Sequence, residues 1–112
     1  MFCGGAPLSP DTQAFANGCL DVALMQGFGA TETTAITSLM DRYDVTTGRT
    51  GAPLFGAKVR LVDWDEGGYR PTDKPHPRGE IVVGGDFITA GYFKLDEQTK
   101  EVFKEEMVRL DR

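Results

Sequence analysis

The residue types best suited to chemistry lie within eight consecutive positions, 26–33. Gly27 and Gly29 allow the backbone to turn and to approach a ligand without an intervening Cβ atom. Backbone N–H groups and the hydroxyl of Thr31 suit phosphate oxygens, whereas Glu32 has the wrong charge for phosphate. A carboxylate beside a phosphate suits Mg2+, which takes one or two carboxylates and otherwise keeps waters and phosphate oxygens. The alternative is an ordinary glycine-rich turn, because a lone G-x-G is common.

The elements before this stretch are predicted to be a helix and a strand. Residues 9–11, Ser-Pro-Asp, open a helix with a capping hydroxyl, a proline at the first helical position and an acid at the positive end of the helix dipole. We expect this helix to end at Asn17-Gly18 and to turn Ala14 and Phe15 inward. Residues 19–25 then predict a buried strand that leads into the turn.

The chain after the turn is predicted to be mostly β. Residues 35–40 are rich in β-branched and small side chains, which favours a short strand over a poor helix. Residues 41–53 are polar and aperiodic, as in a long loop. Residues 58–64 alternate as a half-buried strand does, and residues 79–84 form the next strand, bounded by glycines.

A helix is predicted near the end of the chain. Asp96 opens it, and Leu95, Thr99, Phe103 and Met107 recur every four residues, which is typical of the buried face of a helix.

Composition excludes several function classes. The 112 residues carry a net charge of −5, which argues against a nucleic-acid surface or an anionic-membrane surface. No apolar run approaches the roughly 20 residues that span a bilayer, so no membrane segment is predicted within this chain. Cys3 and Cys19 lack partners at the spacing of a zinc site. Nucleotide binding remains open, because backbone amides and a metal ion can hold phosphates on an acidic protein.

Four ordered motifs with compatible spacing carry a resemblance that covers nearly the whole chain. The motifs are Gly4-Gly5-Ala6-Pro7-Leu8, residues 26–32, Gly51-Ala52-Pro53, and Arg78-Gly79-Glu80-Ile81 with Gly91-Tyr92-Phe93. Together they resemble the AMP-forming acyl-CoA synthetases of the adenylate-forming, luciferase-like superfamily. Residues 46–49 and 63–69 are most similar to eukaryotic long-chain fatty-acid CoA ligases.

The resemblance implies an α/β fold that corresponds to a fragment of the adenylate-forming N-terminal domain. Residues 1–50 would be the end of an α/β subdomain with the adenine- and phosphate-binding turn. Residues 51–112 would be part of a β-barrel subdomain with a C-terminal helix.

The resemblance also implies a reaction. A fatty acid would attack the α-phosphate of ATP to give an acyl-adenylate, and coenzyme A would then displace AMP, with Mg2+ as the metal. The parent protein is expected on the cytoplasmic face of the endoplasmic reticulum or another organelle, attached through regions outside this chain. The fragment alone is expected to be inactive. The alternatives are a non-catalytic nucleotide-binding or scaffold remnant, or another adenylate-forming enzyme such as an aryl-CoA ligase or an amino-acid adenylation domain.

The resemblance assigns roles to particular residues. Those expected to contact the nucleotide are Gly5, Ala6, Gln26, Gly27, Phe28, Gly29, Ala30 and Thr31. Phe28 would stack on the adenine, Thr31 would donate its hydroxyl to the α-phosphate, and Glu32 would ligate Mg2+, which makes Thr31 and Glu32 the predicted catalytic residues. Gly27 and Gly29 would also border the acyl channel.

Overall fold

The structure is a computed structural model, and it describes residues 1–104 and 107–110. The chain divides into two compact units. Unit 1 comprises Met1–Thr31 and Ala35–Phe55, and unit 2 comprises Glu32–Thr34 and the chain from Gly56 onward. The predicted barrel segment, 51–112, therefore ends in residues outside those described. Within the described part of the chain, no helix has both the length and the apolar character needed to cross a membrane.

Unit 1 is built on a four-stranded sheet in the order β1-β2-β3-β4. Strand β1, Phe2–Cys3, runs parallel to β2, Met25–Phe28. Strands β3, Ser38–Leu39, and β4, Ala52–Pro53, continue the sheet in antiparallel pairs. Helix α1, Pro10–Leu20, connects the two parallel strands, as such a crossover requires. The strand predicted within residues 35–40 is confirmed, although it is only two residues long.

Helix α1 begins where the sequence predicts but ends later. The side chain of Ser9 accepts a hydrogen bond from the backbone N–H of Thr12 at 3.1 Å, as an N-cap does. The helix continues to Leu20 and stops at Asp21, which has a left-handed φ of 49°. The predicted helix end at Asn17-Gly18 and the predicted strand over 19–25 are therefore wrong. The side-chain oxygen of Asn17 instead accepts a hydrogen bond from the backbone N–H of Leu24 at 2.9 Å and so stabilises the chain after the helix.

The buried side of α1 is polar, not apolar. Ala14 and Phe15 were predicted to face inward, but both are exposed, and Phe15 is 71% exposed. The one buried residue of the helix is Gln13, which is fully buried. The prediction failed because an apolar pattern cannot reveal a helix that is held by hydrogen bonds.

A hydrogen-bonded network accounts for the burial of Gln13. Its Oε1 accepts from Gln26 Nε2 at 2.7 Å and from the N–H of Gly48 at 3.2 Å. Its Nε2 donates to the carbonyl of Leu24 at 3.0 Å and lies 3.5 Å from the sulfur of Met40. The amide therefore joins α1 to β2 and to the long loop that precedes β4.

Unit 2 is built on an antiparallel sheet in the order β5-β6-β8-β7. The strands are β5 at Lys58–Val62, β6 at Glu80–Gly84, β7 at Phe103–Lys104 and β8 at Met107–Leu110. Its buried apolar residues are Val82, Val83 and Val108, on the paired strands β6 and β8. The two strands predicted from residues 58 and 79 are confirmed.

The final helix is shorter than predicted. Helix α2 covers Asp96–Val102, and the chain at Phe103 is already extended, with φ −93° and ψ 123°. Phe103 and Met107 belong to β7 and β8, so the helical stripe predicted through them is wrong. Tertiary pairing decided the outcome, because the fully buried Val108 lies opposite Val83 in the sheet.

Candidate functional site

Two glycine-containing segments leave the same edge of the sheet in unit 1. The register of the parallel strands pairs Phe2 with Met25 and Cys3 with Gln26. The chain after β1 continues through Gly4, Gly5 and Ala6, and the chain after β2 continues through Gly29, Ala30 and Thr31. Carboxyl ends of neighbouring parallel strands are where α/β sheets bind ligands. The fold thus brings together two segments that are far apart in the sequence and that were both predicted to contact the nucleotide.

The groups presented at this edge are open. Gly5 has φ +90°, and a Cβ placed there would have no atom within 4 Å. Gly5, Ala6 and Thr31 are all exposed, so a ligand has access to their backbone and to the side chain of Thr31. This donor set fits a nucleotide, whose phosphate oxygens accept hydrogen bonds and whose base can lie against bare backbone.

Gly27 and Gly29 have a different environment. A Cβ on Gly27 would lie 2.8 Å from Cε2 of Phe2, and a Cβ on Gly29 would lie 1.9 Å from the carbonyl oxygen of Ala35. Gly29 is therefore required by the chain's own packing, because its neighbours are backbone atoms, whereas a Cβ on Gly27 would chiefly displace the half-exposed ring of Phe2. The role of both glycines beside an acyl channel stays a prediction.

Residues 26–28 are strand, not turn. Gln26, Gly27 and Phe28 belong to β2, so the turn begins only at Gly29. The side chain of Gln26 is 6% exposed and is bound to Gln13, whereas Phe28 is half-buried. Their predicted contacts with adenine, like that of the half-buried Ala30, stay predictions.

Glu32 is a buried carboxylate within unit 2. It lies in the single 3-10 turn Thr31–Thr33 and is 3% exposed. Its Oε1 accepts a hydrogen bond from the hydroxyl of Tyr92, and its backbone carbonyl accepts the N–H of Thr89 at 2.9 Å. Thr34 donates its hydroxyl to the carbonyl of Phe87 at 2.6 Å. The loop around residues 87–92 therefore holds the Glu32 turn.

The donor set at Glu32 fits one kind of metal binding. Among residues 1–104 and 107–110, no group of three or more His, Cys, Asp or Glu side chains could hold an ion. Mg2+ needs no such cluster, because it is commonly held by one or two carboxylates with substrate phosphates and waters completing the shell. Glu32 therefore fits Mg2+ that arrives with a nucleotide.

Tyr92 is the functional candidate to which sequence reasoning gave no role. The motif Gly91-Tyr92-Phe93 contributed to the resemblance, but nothing in its spacing connects it with a carboxylate 60 residues earlier. The sequence feature that points to Tyr92 is the neighbouring glycine, Gly91. It has φ +134°, and a Cβ there would lie 2.4 Å from Cγ2 of Thr99, so the backbone beside Tyr92 is tightly constrained.

Comparison with known proteins identifies the family. Residues 1–93 match the family model described as AMP-binding enzyme. The chain belongs to this family of AMP-binding enzymes, and the resemblance to AMP-forming acyl-CoA synthetases is confirmed.

Two plant proteins illustrate the relationship. The chain is 55% identical over 104 residues to Long chain acyl-CoA synthetase 8 of Arabidopsis thaliana, covering 93% of this chain and 14% of that protein. It is 44% identical over 106 residues to Long chain acyl-CoA synthetase 6, peroxisomal, of the same plant, covering 95% of this chain and 15% of that protein. The chain thus spans about a seventh of these relatives.

A solved structure supports the fold class. The A-PCP didomain of carboxylic acid reductase from Segniliparus rugosus, in complex with AMP, matches with a TM-score of 0.77 and 35% identity. The match covers 96% of this chain and 14% of that one. The predicted α/β class, as found in the N-terminal domain of adenylate-forming enzymes, is confirmed.

Proposed function

We propose that the full-length protein is an AMP-forming long-chain fatty-acid CoA ligase. One observation carries the proposal: β1 and β2 bring Gly5-Ala6 and Gly29-Ala30-Thr31 to one sheet edge. The 55% identity with a plant long-chain acyl-CoA synthetase supports the substrate class. The substrates are a long-chain fatty acid, ATP and coenzyme A.

Five of the predicted residues are assigned a task. The backbone of Gly5 and Ala6 lies against the adenine, and the ring of Phe28 stacks on it. The hydroxyl of Thr31 donates to the α-phosphate. Glu32, the next residue in the chain, would ligate Mg2+, which when bound would supply Lewis-acid neutralisation of phosphate charge.

The reaction joins two anions in its first step. A fatty-acid oxygen forms a bond to the α-phosphorus of ATP, the bond to pyrophosphate breaks, and an acyl-adenylate results. The thiol of coenzyme A then attacks the acyl carbon, loses its proton, and AMP leaves. Because the reactants repel each other, orientation and hydrogen bonds at developing charge provide most of the acceleration.

Pyrophosphate exchange by the full-length protein tests the first step. A panel of acids of increasing chain length should show preference for long chains. Glu32→Gln should reduce exchange on the order of 10²-fold, because a metal ligand is lost. Glu66→Gln, an exposed residue of a hairpin turn, is the matched control and should not change it. Unchanged exchange in Glu32→Gln would contradict the role assigned to Glu32, and preference for short or aromatic acids would contradict the substrate class.

A second candidate is acid activation without a CoA product. The 35% identity with a carboxylic acid reductase adenylation domain favours it, since that protein shares the AMP-binding step. Product analysis separates the two candidates. Thioester formation that requires coenzyme A supports the ligase, whereas adenylate formation with no thioester supports the second candidate.

We propose that residues 1–50 form the end of the α/β subdomain and residues 51–112 part of the β-barrel subdomain. The parallel β1-α1-β2 arrangement supports the first and the antiparallel sheet of unit 2 supports the second. An experimental structure of the full-length protein tests both boundaries.

We propose a location on the cytoplasmic face of an organelle membrane, either the endoplasmic reticulum or the peroxisome. The name of one relative, which specifies the peroxisome, supports the second organelle. Fractionation of cells that express a tagged full-length protein, with markers for each organelle, tests this. Recovery only in the soluble fraction would overturn the proposal.

A further inference from the structure

The hydrogen bonds that join the Glu32 turn to the loop at residues 87–92 include three. They run from Thr89 N–H to the Glu32 carbonyl, from the Thr34 hydroxyl to the Phe87 carbonyl, and from the Tyr92 hydroxyl to Glu32 Oε1. Two of the three involve backbone and fix the path of the chain. The Tyr92 bond acts on the carboxylate itself.

We propose that Tyr92 is a positioning residue that sets the orientation of the Glu32 carboxylate for a nucleotide-bound divalent cation. The inference rests on the proposed function, in which Glu32 is the metal ligand. Carboxylates that ligate a metal are themselves held by outer hydrogen bonds, and removal of such a bond commonly costs 10- to 100-fold in metal affinity or activity. A carboxylate has several acceptor sites on two oxygens, so the phenol bond and metal ligation are compatible.

The position of Tyr92 is itself determined by its surroundings. Its backbone N–H donates to Oγ1 of Thr99 at 2.9 Å, and its ring meets the ring of Phe103 edge-on with centroids 5.6 Å apart. Thr99 Oγ1 in turn donates to the carbonyl of Leu95 at 3.0 Å, within the first turn of α2. The hydroxyl that reaches Glu32 is thus carried by a side chain whose backbone and ring are both fixed. Such support is what a positioning residue requires.

Electron paramagnetic resonance of Mn2+ tests the proposal without catalysis. Free Mn2+ is titrated against the full-length protein in the presence of ATP, and the protein-dependent binding constant is obtained. Tyr92→Phe removes only the hydroxyl and keeps the ring contact with Phe103, so we expect binding to weaken about tenfold or more. Tyr43→Phe makes the same chemical change at a side chain that is 83% exposed, and should leave binding unchanged.

A double-mutant cycle distinguishes positioning from general destabilisation. If Tyr92 acts through Glu32, Tyr92→Phe should have no further effect on Mn2+ binding in a Glu32→Gln background. Wild-type Mn2+ binding in Tyr92→Phe, or an equal loss in Tyr43→Phe, would overturn the proposal. So would a full tenfold effect that persists without the Glu32 carboxylate.

Two further arrangements keep the test decisive. Should Tyr92→Phe fail to fold, Thr99→Val removes the acceptor of the Tyr92 N–H and should weaken Mn2+ binding in the same direction. Unchanged binding in that variant overturns the proposal.

Pyrophosphate exchange is measured in parallel with Mn2+ binding. If Mn2+ binding depends on Tyr92 but the protein catalyses no pyrophosphate exchange, the ligase proposal alone is refuted. If the protein catalyses pyrophosphate exchange but Mn2+ binding is unchanged in Tyr92→Phe, the positioning role alone is refuted.

Discussion

The interiors of the two units are built from different chemistry. In unit 1 the fully buried side chains include Gln13, which forms hydrogen bonds with α1's neighbours on β2 and in the following loop. In unit 2 the buried centre is Val82, Val83 and Val108 on the paired strands β6 and β8. Both units bury apolar and polar side chains, but directional bonds are centred on Gln13 in unit 1, whereas an apolar cluster, whose burial has no preferred direction, is centred on β6 and β8 in unit 2.

The difference between the two interiors corresponds to the groups that each unit holds in place. Most candidate nucleotide contacts of unit 1 follow short strands of two and four residues, which bury little apolar surface. A network centred on one amide fixes β2 relative to α1 despite that small surface. In unit 2 a sheet with an apolar centre supports the Glu32 turn through a loop. A polar interior therefore provides orientation where apolar area is scarce.

The largest loss of stability is expected where a new Cβ atom would collide with backbone atoms. Gly29→Ala should destabilise unit 1 by about 3 kcal/mol or more, at the upper end of the cost of overpacking, because the new Cβ would lie 1.9 Å from the Ala35 carbonyl oxygen and the chain itself would have to move. Hydrogen exchange of peptides from β2 and β3 in the full-length protein measures the loss.

Gly18→Ala is the matched control for that prediction. Gly18 lies inside α1, and a Cβ there would meet no atom within 4 Å. The substitution should stabilise the helix by about 0.5–1 kcal/mol. Equal effects at Gly18 and Gly29 would show that close packing does not hold the turn.

The next effect tests the polar interior directly. Gln13→Met keeps an unbranched side chain of similar length but leaves the Leu24 carbonyl, the Gly48 N–H and the Gln26 amide without their partner. We expect a loss of about 2–3 kcal/mol, measured by urea unfolding and by exchange of peptides from β2. A neutral result would mean that the network contributes no net stability and that the contrast between the units is only compositional.

The opposite kind of substitution, from an apolar to a polar side chain in unit 2, should lower the free energy of unfolding by less. Val83→Thr places a hydroxyl in the fully buried apolar centre with almost no change in shape. We expect a loss of about 1.5–2 kcal/mol, confined to exchange of peptides from β6 and β8. Val59→Thr, on the neighbouring β5 but 43% exposed, is the control and should be nearly neutral.

The same contrast explains how far the sequence predicted the fold and the site. Alternation predicted β5 and the bounding glycines predicted β6, and the ordered motifs identified the family and predicted a role for Glu32. Apolar patterning failed at α1, where Gln13 and not Phe15 is buried, because an amide network leaves no hydrophobic period. It also failed at Phe103, which pairs with Val108 of β8, because β8 in turn pairs with the distant strand β6 and this overrode local spacing. The contact between Tyr92 and Glu32 joins residues 60 positions apart, and such a contact follows only from the folded chain.

The smallest effect is expected at a polar network near the surface, around the partly buried Asp73. The backbone N–H of Arg70 and the guanidinium of Arg78, each 3.0 Å from Asp73 Oδ2, lower the pKa of the Asp73 carboxyl. A lowered folded-state pKa means that the ionised carboxylate stabilises the fold above about pH 4 and that this contribution disappears as pH falls through the folded value. Surface pairs of this kind contribute little, so the change should be smaller than that at Gln13.

Asp73→Asn tests the sign of that dependence. Its melting temperature should lie slightly below that of the wild type at pH 7, and the difference should shrink as pH falls below about 4, because the wild-type side chain then also becomes neutral. Asp86→Asn, at an exposed position, provides the control. A difference that grows toward acid pH would reverse the sign and show that Asp73 is not stabilised as an anion. A loss as large as that of Gln13→Met would remove the distinction between buried and near-surface networks on which the comparison of the two units depends.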